Sequence, residues 1–534
     1  MNKKTAIKRN MIWNTAGLIV EVVTGFILMP FLIARLGDST YGVWLVLGAL
    51  TSWFGLLELG TRGAVGRQIA LHHAAGDQRA VDQTLSGGVA VLLFAGLSAL
   101  MVLLLCEPIF FEFYKIPAAD QEQIGVTLRL VAINFAIVLL GTAFDAFLWG
   151  LQRFDLLNAV DVPVTLLRLA GTLVLVHASS DLVVLAIVTV VISGMSLCAK
   201  SILSFRANLQ LRVGILNLTR SSLRQLFGYG SWNMISTLAR LSRTQLAPIL
   251  IGNILGLALV PLYAVAARLM MAVNTTMDAV TGVLTPHATE LHATQQADRQ
   301  RDLFIVFGRY AATLATLFIT YLLVLGDPLI LLWVGPSFSA AGTLLTLLVL
   351  GDALPCMQYV TRGIILATAR HNALALFAVL EVVAVCGLMI VLLPLFGLIG
   401  VGLAVAIPAF LARGVAPMIH GCRIVGVPLF QYLLQTIAPP LLCAVLPALV
   451  VRLAVAIVQV EIWPVFIGYS VAYTLLFVIC YTCFLDLTWL SKLYRLIWVS
   501  KQLAPPIVNQ SVLGGEERGA VAGEPLLPHD FPAN

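Results

Sequence analysis

The chain has 534 residues, 60% of them hydrophobic and 11% charged, with a formal net charge of +6. Soluble domains carry roughly 25% charged residues, so this composition excludes a water-soluble globule, and the same apolar excess excludes a disordered chain. The apolar runs do not alternate with polar residues, which excludes an outer-membrane β-barrel. What remains is an all-α, polytopic membrane protein.

A spanning helix needs about 20 apolar residues. On that measure the sequence predicts about 14 transmembrane helices, near 11–34, 42–70, 84–107, 123–151, 156–178, 182–204, 223–251, 258–286, 304–333, 340–368, 372–395, 398–422, 430–458 and 462–485. The charge-free run Val382–Ala412 is long enough for two pieces, broken around Pro394, Gly397 and Gly400. Basic residues gather at alternate ends of the spans. Lys3, Lys4, Lys8 and Arg9 precede the first; Arg62, Arg67 and Arg79 follow the second; Lys200, Arg206 and Arg212 surround the link after the sixth. Arg362 and Arg370 close the tenth, and Arg413 and Arg423 flank the end of the twelfth. Lys and Arg mark the cytoplasmic side, so both termini are expected there, with the first span retained rather than cleaved. Trp13, Trp149 and Trp232 fall at inner ends and Trp44, Trp333 and Trp463 at outer ends, as in an aromatic belt.

The chain repeats itself. Trp13-Asn14 opens the first span and Leu36-Gly37 ends it; Trp232-Asn233 opens the seventh and Leu255-Gly256 ends it, at the same offset. Tyr41 and Tyr263 follow shortly after each Leu-Gly. A six-span unit has an even count, so both copies enter the membrane from the same side, as parallel repeats about an axis along the membrane normal do. The expected organisation is an N lobe at 1–210 (spans 1–6), a C lobe at 211–425 (spans 7–12), spans 13–14 at 426–485, and a cytoplasmic tail at 486–534. In the tail, Leu487–Lys501 reads as an interfacial helix, followed by disorder.

The segment Leu36-Gly37-Asp38-Ser39-Thr40-Tyr41-Gly42-Val43-Trp44, with Glu58-Leu59-Gly60 and Arg62, Gly63, Gly66 and Arg67 after it, resembles the polysaccharide-transporter branch of the multidrug/oligosaccharidyl-lipid/polysaccharide exporter superfamily. These are the bacterial O-antigen and exopolysaccharide repeat-unit flippases. The pattern is a Leu-Gly, a Tyr-Gly four residues on, and an acidic residue before a Leu-Gly near the end of the second span. Leu36, Gly37, Tyr41, Gly42, Glu58 and Gly60 carry it here. Glu58 stands where the family usually has Asp. The Ala-Thr-Ala-Arg segment at 367–370 is also similar to the family. The resemblance implies two helical lobes around a cavity that opens alternately to either side. It implies flipping of undecaprenyl-diphosphate-linked oligosaccharide across the inner membrane, driven by a proton or sodium gradient rather than by a bound cofactor. It implies as partners the lipid-linked substrate, membrane lipids, and a polymerase and chain-length regulator of the same pathway, with no nucleic acid.

The residues themselves carry no catalytic motif. There is no G-x-x-x-x-G-K-[ST] for ATP and no H-E-x-x-H for zinc, so no enzyme is expected. Cys480 and Cys483 form a C-x-x-C, but in an apolar helix, and read as small fillers. The informative positions are charges inside spans, each costing at least about 2.5–3.5 kcal/mol at mid-bilayer. Arg240 occupies the repeat-equivalent position of Glu21, and Arg243 is one turn further on. Arg168 is central in the fifth span and Arg268 lies in the eighth; Asp145, Asp161, Asp278, Asp352 and Glu381 supply acids. Two readings compete. In one, Arg240, Arg243, Arg268 and Arg168 line a cationic cavity for a diphosphate-sugar head group, since Arg offers bidentate donors and stays charged when desolvated; Glu21, Asp352 or Glu381 then couples the ion, and Glu21 meets Arg240 across the cleft. In the other, these groups are internal ion pairs that fix helix register. Two further functions stay open: a drug or cation antiporter of the same superfamily, and a membrane glycan polymerase or transferase. The short outer loops speak against the polymerase.

Overall fold

The computed structural model describes residues 3–58, 60–214, 240–281, 296–368 and 371–484, together with residues 217, 238, 290 and 294. The described part is all-helical. The tail at 486–534, Trp232, Asn233 and Arg370 lie outside it. Residues up to Tyr481 form one compact unit. Thr482–Phe484, the last turn of the final helix, are the described part of a second.

The N lobe begins with α1 (Lys3–Leu36), α2 (Asp38–Phe54) and α3 (Thr61–Ala74). It continues through α4 (Gln78–Leu105), α5 (Glu107–Phe113), α6 (Ala118–Gly150), α7 (Phe154–Gly171) and α8 (Leu182–Ala207). The second expected span, 42–70, is therefore two helices. A 3-10 turn at Gly55–Glu58 and the left-handed Gly60 (φ 69°) separate them. α6 is the hub of the lobe, packed against α3, α4 and α8, while α1 packs on α7. Small residues allow the closest approaches: at the α3–α6 crossing a Cβ on Gly150 would come 2.6 Å from the Gly66 carbonyl. The lipid side is apolar. Phe94, Leu97, Met101 and Leu105 form an exposed stripe at helical spacing on α4.

The link after α8 folds back on the lobe. Asn208 Nδ2 donates to Gln78 Oε1 (2.9 Å), and the Arg212 and Gly214 amides donate to Asp82 Oδ1 (3.1 Å) and Ser86 Oγ (3.2 Å).

The C lobe is described from α9 (residues 240–254), followed by α10 (Val260–Thr281) and α11 (Ala297–Trp333). After these come α12 (Ser339–Met357), α13 (Tyr359–Ala367), α14 (His371–Pro408) and α15 (Ala416–Val425). The tenth expected span is thus split at Gln358. The eleventh and twelfth form one helical stretch interrupted at Gly397 (φ 58°, ψ −134°), where the sequence placed the break. Two further helices, α16 (Ala438–Ile457) and α17 (Trp463–Phe484), follow; α16 packs on α11. Among the described residues, eleven helical stretches are long and apolar enough to cross a membrane, so the chain is a multi-pass membrane protein. The expected count of fourteen is not confirmed by that tally. One of the eleven is Asn372–Val425, which holds two expected spans, and α1 and α9 are helical but outside it.

The repeat shows in the backbone. Gly37 (φ 77°, ψ 164°) and Gly256 (φ 102°, ψ 154°) adopt the same conformation, which an L side chain rarely takes. Tyr41 and Tyr263 are both buried, in one apolar core shared by the two lobes.

Candidate functional site

Four embedded charges of the C lobe form one network. Arg413 lies in a π-helical turn, Ala409–Val415, that continues α14. Its Nε donates to Glu381 Oε1 at 2.8 Å and its Nη2 to Asp352 Oδ1 at 2.6 Å. The other carboxylate oxygens are covered too. Arg243 Nη1 on α9 donates to Glu381 Oε2 at 3.4 Å, and Asn274 Nδ2 on α10 donates to Asp352 Oδ2 at 3.0 Å. Tyr359 OH donates to Asn274 Oδ1 at 3.0 Å, and the Arg362 guanidinium sits 5.3 Å over the Tyr359 ring. Burying a lone ion is prohibitive; the mutual pairing explains how Glu381 tolerates a side-chain exposure of only 2%.

The N lobe holds a cavity of about 530 Å³ lined by α1, α6, α7 and α8. Its charged walls are Glu21, Asp145, Asp161, Arg168 and Lys200. Lys200 Nζ stands 2.7 Å from Asp145 Oδ1 and 2.8 Å from Asp161 Oδ1. The field of Glu21 acts on Arg168, and Arg168 Nε is buried without a hydrogen-bond partner among the described residues.

The expected arginines therefore separate. Arg243 belongs to the C-lobe network and Arg168 to the N-lobe cavity. Arg268 reaches from α10 to α1, where its guanidinium fills the space a Cβ on Gly25 would take. Arg240 is exposed, and its field reaches Glu58 of the family motif across the lobes. The expected Glu21–Arg240 contact is not formed among the described residues, because Glu21 faces the cavity of its own lobe. Asp352 and Glu381, expected as ion-coupling acids, are both held by Arg413. Among the described residues no group of three or more His, Cys, Asp or Glu side chains is placed to hold a metal, and the eight cysteines are free thiols.

Gly42 of the motif lies where one end of each lobe meets the other. A Cβ on Gly42 would overlap the Leu257 carbonyl, and one on Gly252 would meet Tyr114 Cε1 at 3.0 Å and Val46 Cγ2 at 3.1 Å. Asn253 Nδ2 donates to the Phe113 carbonyl. Trp333 Nε1, expected in the aromatic belt, instead donates to the Phe26 carbonyl of α1 at 2.8 Å. The two lobes are in close contact at this end.

The sequence pattern of the polysaccharide biosynthesis protein family matches residues 75–342, half of the chain. The chain belongs to that family. It is 20% identical over 419 residues to a putative O-antigen transporter of Shigella flexneri, covering 76% of this chain and 96% of that protein. The fold matches the lipid II flippase MurJ in an inward closed conformation, with a TM-score of 0.67, 11% identity, and 91% and 100% of the two chains covered. It also matches an inward-facing multidrug resistance MATE transporter of the MOP superfamily, with a TM-score of 0.67, 12% identity, and 78% and 98% covered. The architecture is that of these two transporters, and the family and relatives are transporters and flippases, not enzymes.

Sequence reasoning missed the two residues that organise the lobes. Lys200 and Arg413 stand near inner helix ends and read there as topology markers. Each nevertheless turns inward onto two acids. The available signal was the pair of acids in the two preceding spans of each lobe, Asp145 with Asp161 and Asp352 with Glu381, which need a counter-charge inside the bundle.

Proposed function

We propose that the chain flips undecaprenyl-diphosphate-linked oligosaccharide repeat units across the bacterial inner membrane for O-antigen, capsule or exopolysaccharide assembly. It works by alternating access of the two lobes, coupled to a proton or sodium gradient, with both termini in the cytoplasm. One observation carries the reading. Arg240 and Arg268 stand at the interface of the lobes with no ion-pair partner among the described residues. An unpaired arginine in a membrane protein is a functional position by default, and two of them match a diphosphate: each guanidinium presents paired donors and cannot be deprotonated. Organic cations would be repelled by the same pair, which disfavours a drug antiporter.

With Asp352 and Glu381 held by Arg413, Glu21 is the candidate acid that remains to draw the coupling ion into the N-lobe cavity, on which it opens. A polymerase and chain-length regulator of the same pathway would receive the product on the outer face.

The test is complementation of a host lacking its own copy. Arg240→Ala and Arg268→Ala should each lower surface polymer at least about tenfold while membrane levels of protein stay normal, with lipid-linked repeat units accumulating inside. Full complementation by both variants would remove the site. Resistance to cationic drugs on overexpression, without an effect on polymer, would favour the antiporter instead.

A further inference from the structure

Each lobe contains the same three-membered ion bridge. In the N lobe, Lys200 on the sixth span joins Asp145 of the fourth (2.7 Å) to Asp161 of the fifth (2.8 Å). In the C lobe, Arg413 on the twelfth joins Asp352 of the tenth (2.6 Å) to Glu381 of the eleventh (2.8 Å). In a six-plus-six repeat the tenth, eleventh and twelfth spans are the counterparts of the fourth, fifth and sixth. A base on the last helix of each repeat thus clamps one acid from each of the two helices before it.

The two bridges differ in how firmly they are closed. Arg413 offers a rigid planar fork, and both of its acids have their second oxygen covered, by Asn274 and by Arg243. The N-lobe base is a lysine, a strongly hydrated point charge on a flexible stem. Its acid Asp161 has a side chain 50% exposed, against 2% for Glu381 in the C lobe. All three members of the N-lobe bridge line the cavity. Facing them are Glu21 from α1, Thr142 from α6, Asn158 and Arg168 from α7, and Ser193 and Ser196 from α8. Three acids against two bases leave that cavity one formal negative charge in excess.

The helix that carries Asp161 is also built to move. Pro163, two residues on, lies inside α7 and removes a backbone hydrogen bond. A π-helical turn, Thr172–Val176, follows α7; Arg413 also lies in one, so the lobes differ in the base and in exposure rather than in this feature. Of the eleven candidate spans, Phe154–Ser179 has the smallest buried share.

We propose that the Lys200–Asp161 pair is the contact that opens and closes in the transport cycle, with a small monovalent cation from the cavity replacing Lys200 at Asp161. Lys200 stays on Asp145, and the Arg413 bridge remains shut as the fixed counterpart. If the cation is a proton, it binds an Asp161 carboxylate oxygen, and the ammonium keeps its three protons and its pair with Asp145. If it is sodium, it becomes the counter-ion of Asp161 and no proton moves. Either way, α7 is released from α8. The inference rests on the ion-coupled, alternating-access reading.

The test uses the full chain in lipid nanodiscs on a cysteine-free background. Spin labels are placed at Leu166→Cys and Ile202→Cys, both exposed on α7 and α8, and in a second sample at Leu380→Cys and Leu411→Cys, exposed in the C lobe. Distances are measured at alkaline pH in choline chloride, then at acid pH, then at alkaline pH in sodium chloride. The N-lobe distance should shift in the acid arm or the sodium arm, which names the ion, while the C-lobe distance stays constant. Lys200→Arg should hold the N-lobe distance in its closed value and lower polymer export about tenfold, the fork gripping both acids. Asp161→Asn should hold it open under every condition. An N-lobe distance that never moves, lobes that move alike, or Lys200→Arg exporting at the native rate each overturns the proposal. If Lys200→Arg does not accumulate, Asp161→Asn carries the same decision. An N-lobe shift in a protein that cannot complement the polymer defect would overturn the substrate reading and leave this one standing.

Discussion

Gly42 of α2 and Leu257 of the C lobe touch backbone to backbone, so closely that a Cβ on Gly42 would overlap the Leu257 carbonyl oxygen. The contact closes one end of the cleft between the lobes, with Val46 and Tyr114 packed beside it against Gly252. A backbone carbonyl cannot swing aside as a side chain can. Gly42→Ala should therefore weaken the closed state and Gly42→Val should prevent it. A Val46→Cys reporter, buried beneath the seal in the native protein, should react with a membrane-impermeant thiol reagent several-fold faster in the Gly42→Val background. Export should fall in parallel. Equal labelling in both backgrounds would show that the seal does not depend on this glycine.

The C-lobe network predicts an asymmetric response to neutralisation. Arg413→Met leaves Glu381, whose side chain is 2% exposed, and Asp352 facing each other without their shared cation. Removing one partner of a buried pair costs about 3–5 kcal/mol; Arg243 still reaches Glu381, so the charge left without a cation is chiefly that of Asp352. Replacing the acids as well, in Arg413→Met/Glu381→Gln/Asp352→Asn, should recover much of that loss. Thermal unfolding in detergent measures both: a clear fall in melting temperature for the single variant and a partial return for the triple. A triple variant no more stable than the single one would show that geometry rather than charge holds these helices.

The all-helical, multi-pass fold was legible in the sequence, because span length and apolar composition are local. The repeat was legible at Leu36-Gly37 and Leu255-Gly256 for a backbone reason, since both glycines take a conformation other residues avoid. The breaks at Gly60 and Gln358 were missed because the expected spans run straight through the polar residues there, Glu58, Thr61 and Arg62 in one and Gln358, Thr361 and Arg362 in the other. The ion bridges were hidden for a different reason. Arg413 meets Asp352 and Glu381 only after three spans have packed, and no spacing along one chain tells an inward-turned arginine from one at the lipid head groups. Glu21 and Arg240 occupy equivalent positions, but equivalence under the repeat does not bring them into contact. Glu21 faces the cavity of its own lobe, while the field of Arg240 reaches Glu58 across the lobes.

Two glycines of the α14 kink should differ in cost. Gly397 has φ 58° and ψ −134° with open space around its Cβ position, so Gly397→Ala pays only backbone strain, about 1–3 kcal/mol. Gly400 is packed against the Leu392 backbone, and a Cβ there would overlap the Leu392 carbonyl. Gly400→Ala must therefore reopen the turn between the two spans. Parallel thermal melts should rank the native protein first, Gly397→Ala second and Gly400→Ala last. The reverse order of the two variants would mean that the turn relaxes more easily than its backbone contact implies.

The last helix, α17, docks on α11 through hydroxyl groups in an otherwise apolar seam. Tyr473 OH and Thr320 Oγ1 share a hydrogen bond, and Tyr321 OH pairs with Ser470 Oγ at 2.9 Å. Tyr473 is fully buried among Val324, Leu325, Val451 and Phe466. In lipid the apolar effect does not drive helices together, so packing and interhelical hydrogen bonds must do it. Tyr473→Phe keeps the packing and loses one bond, which costs about 0.5–1.5 kcal/mol. Tyr473→Ala also empties the seam, and about 3–5 kcal/mol is the usual cost for a large aromatic. The expected readout is graded protease sensitivity of the Val458–Ile462 turn between α16 and α17: slightly raised for Tyr473→Phe, strongly raised for Tyr473→Ala. Export should follow the same order if these helices brace α11 during the cycle. Protease patterns identical to the native protein in both variants would show that α16 and α17 are held by lipid-facing packing alone.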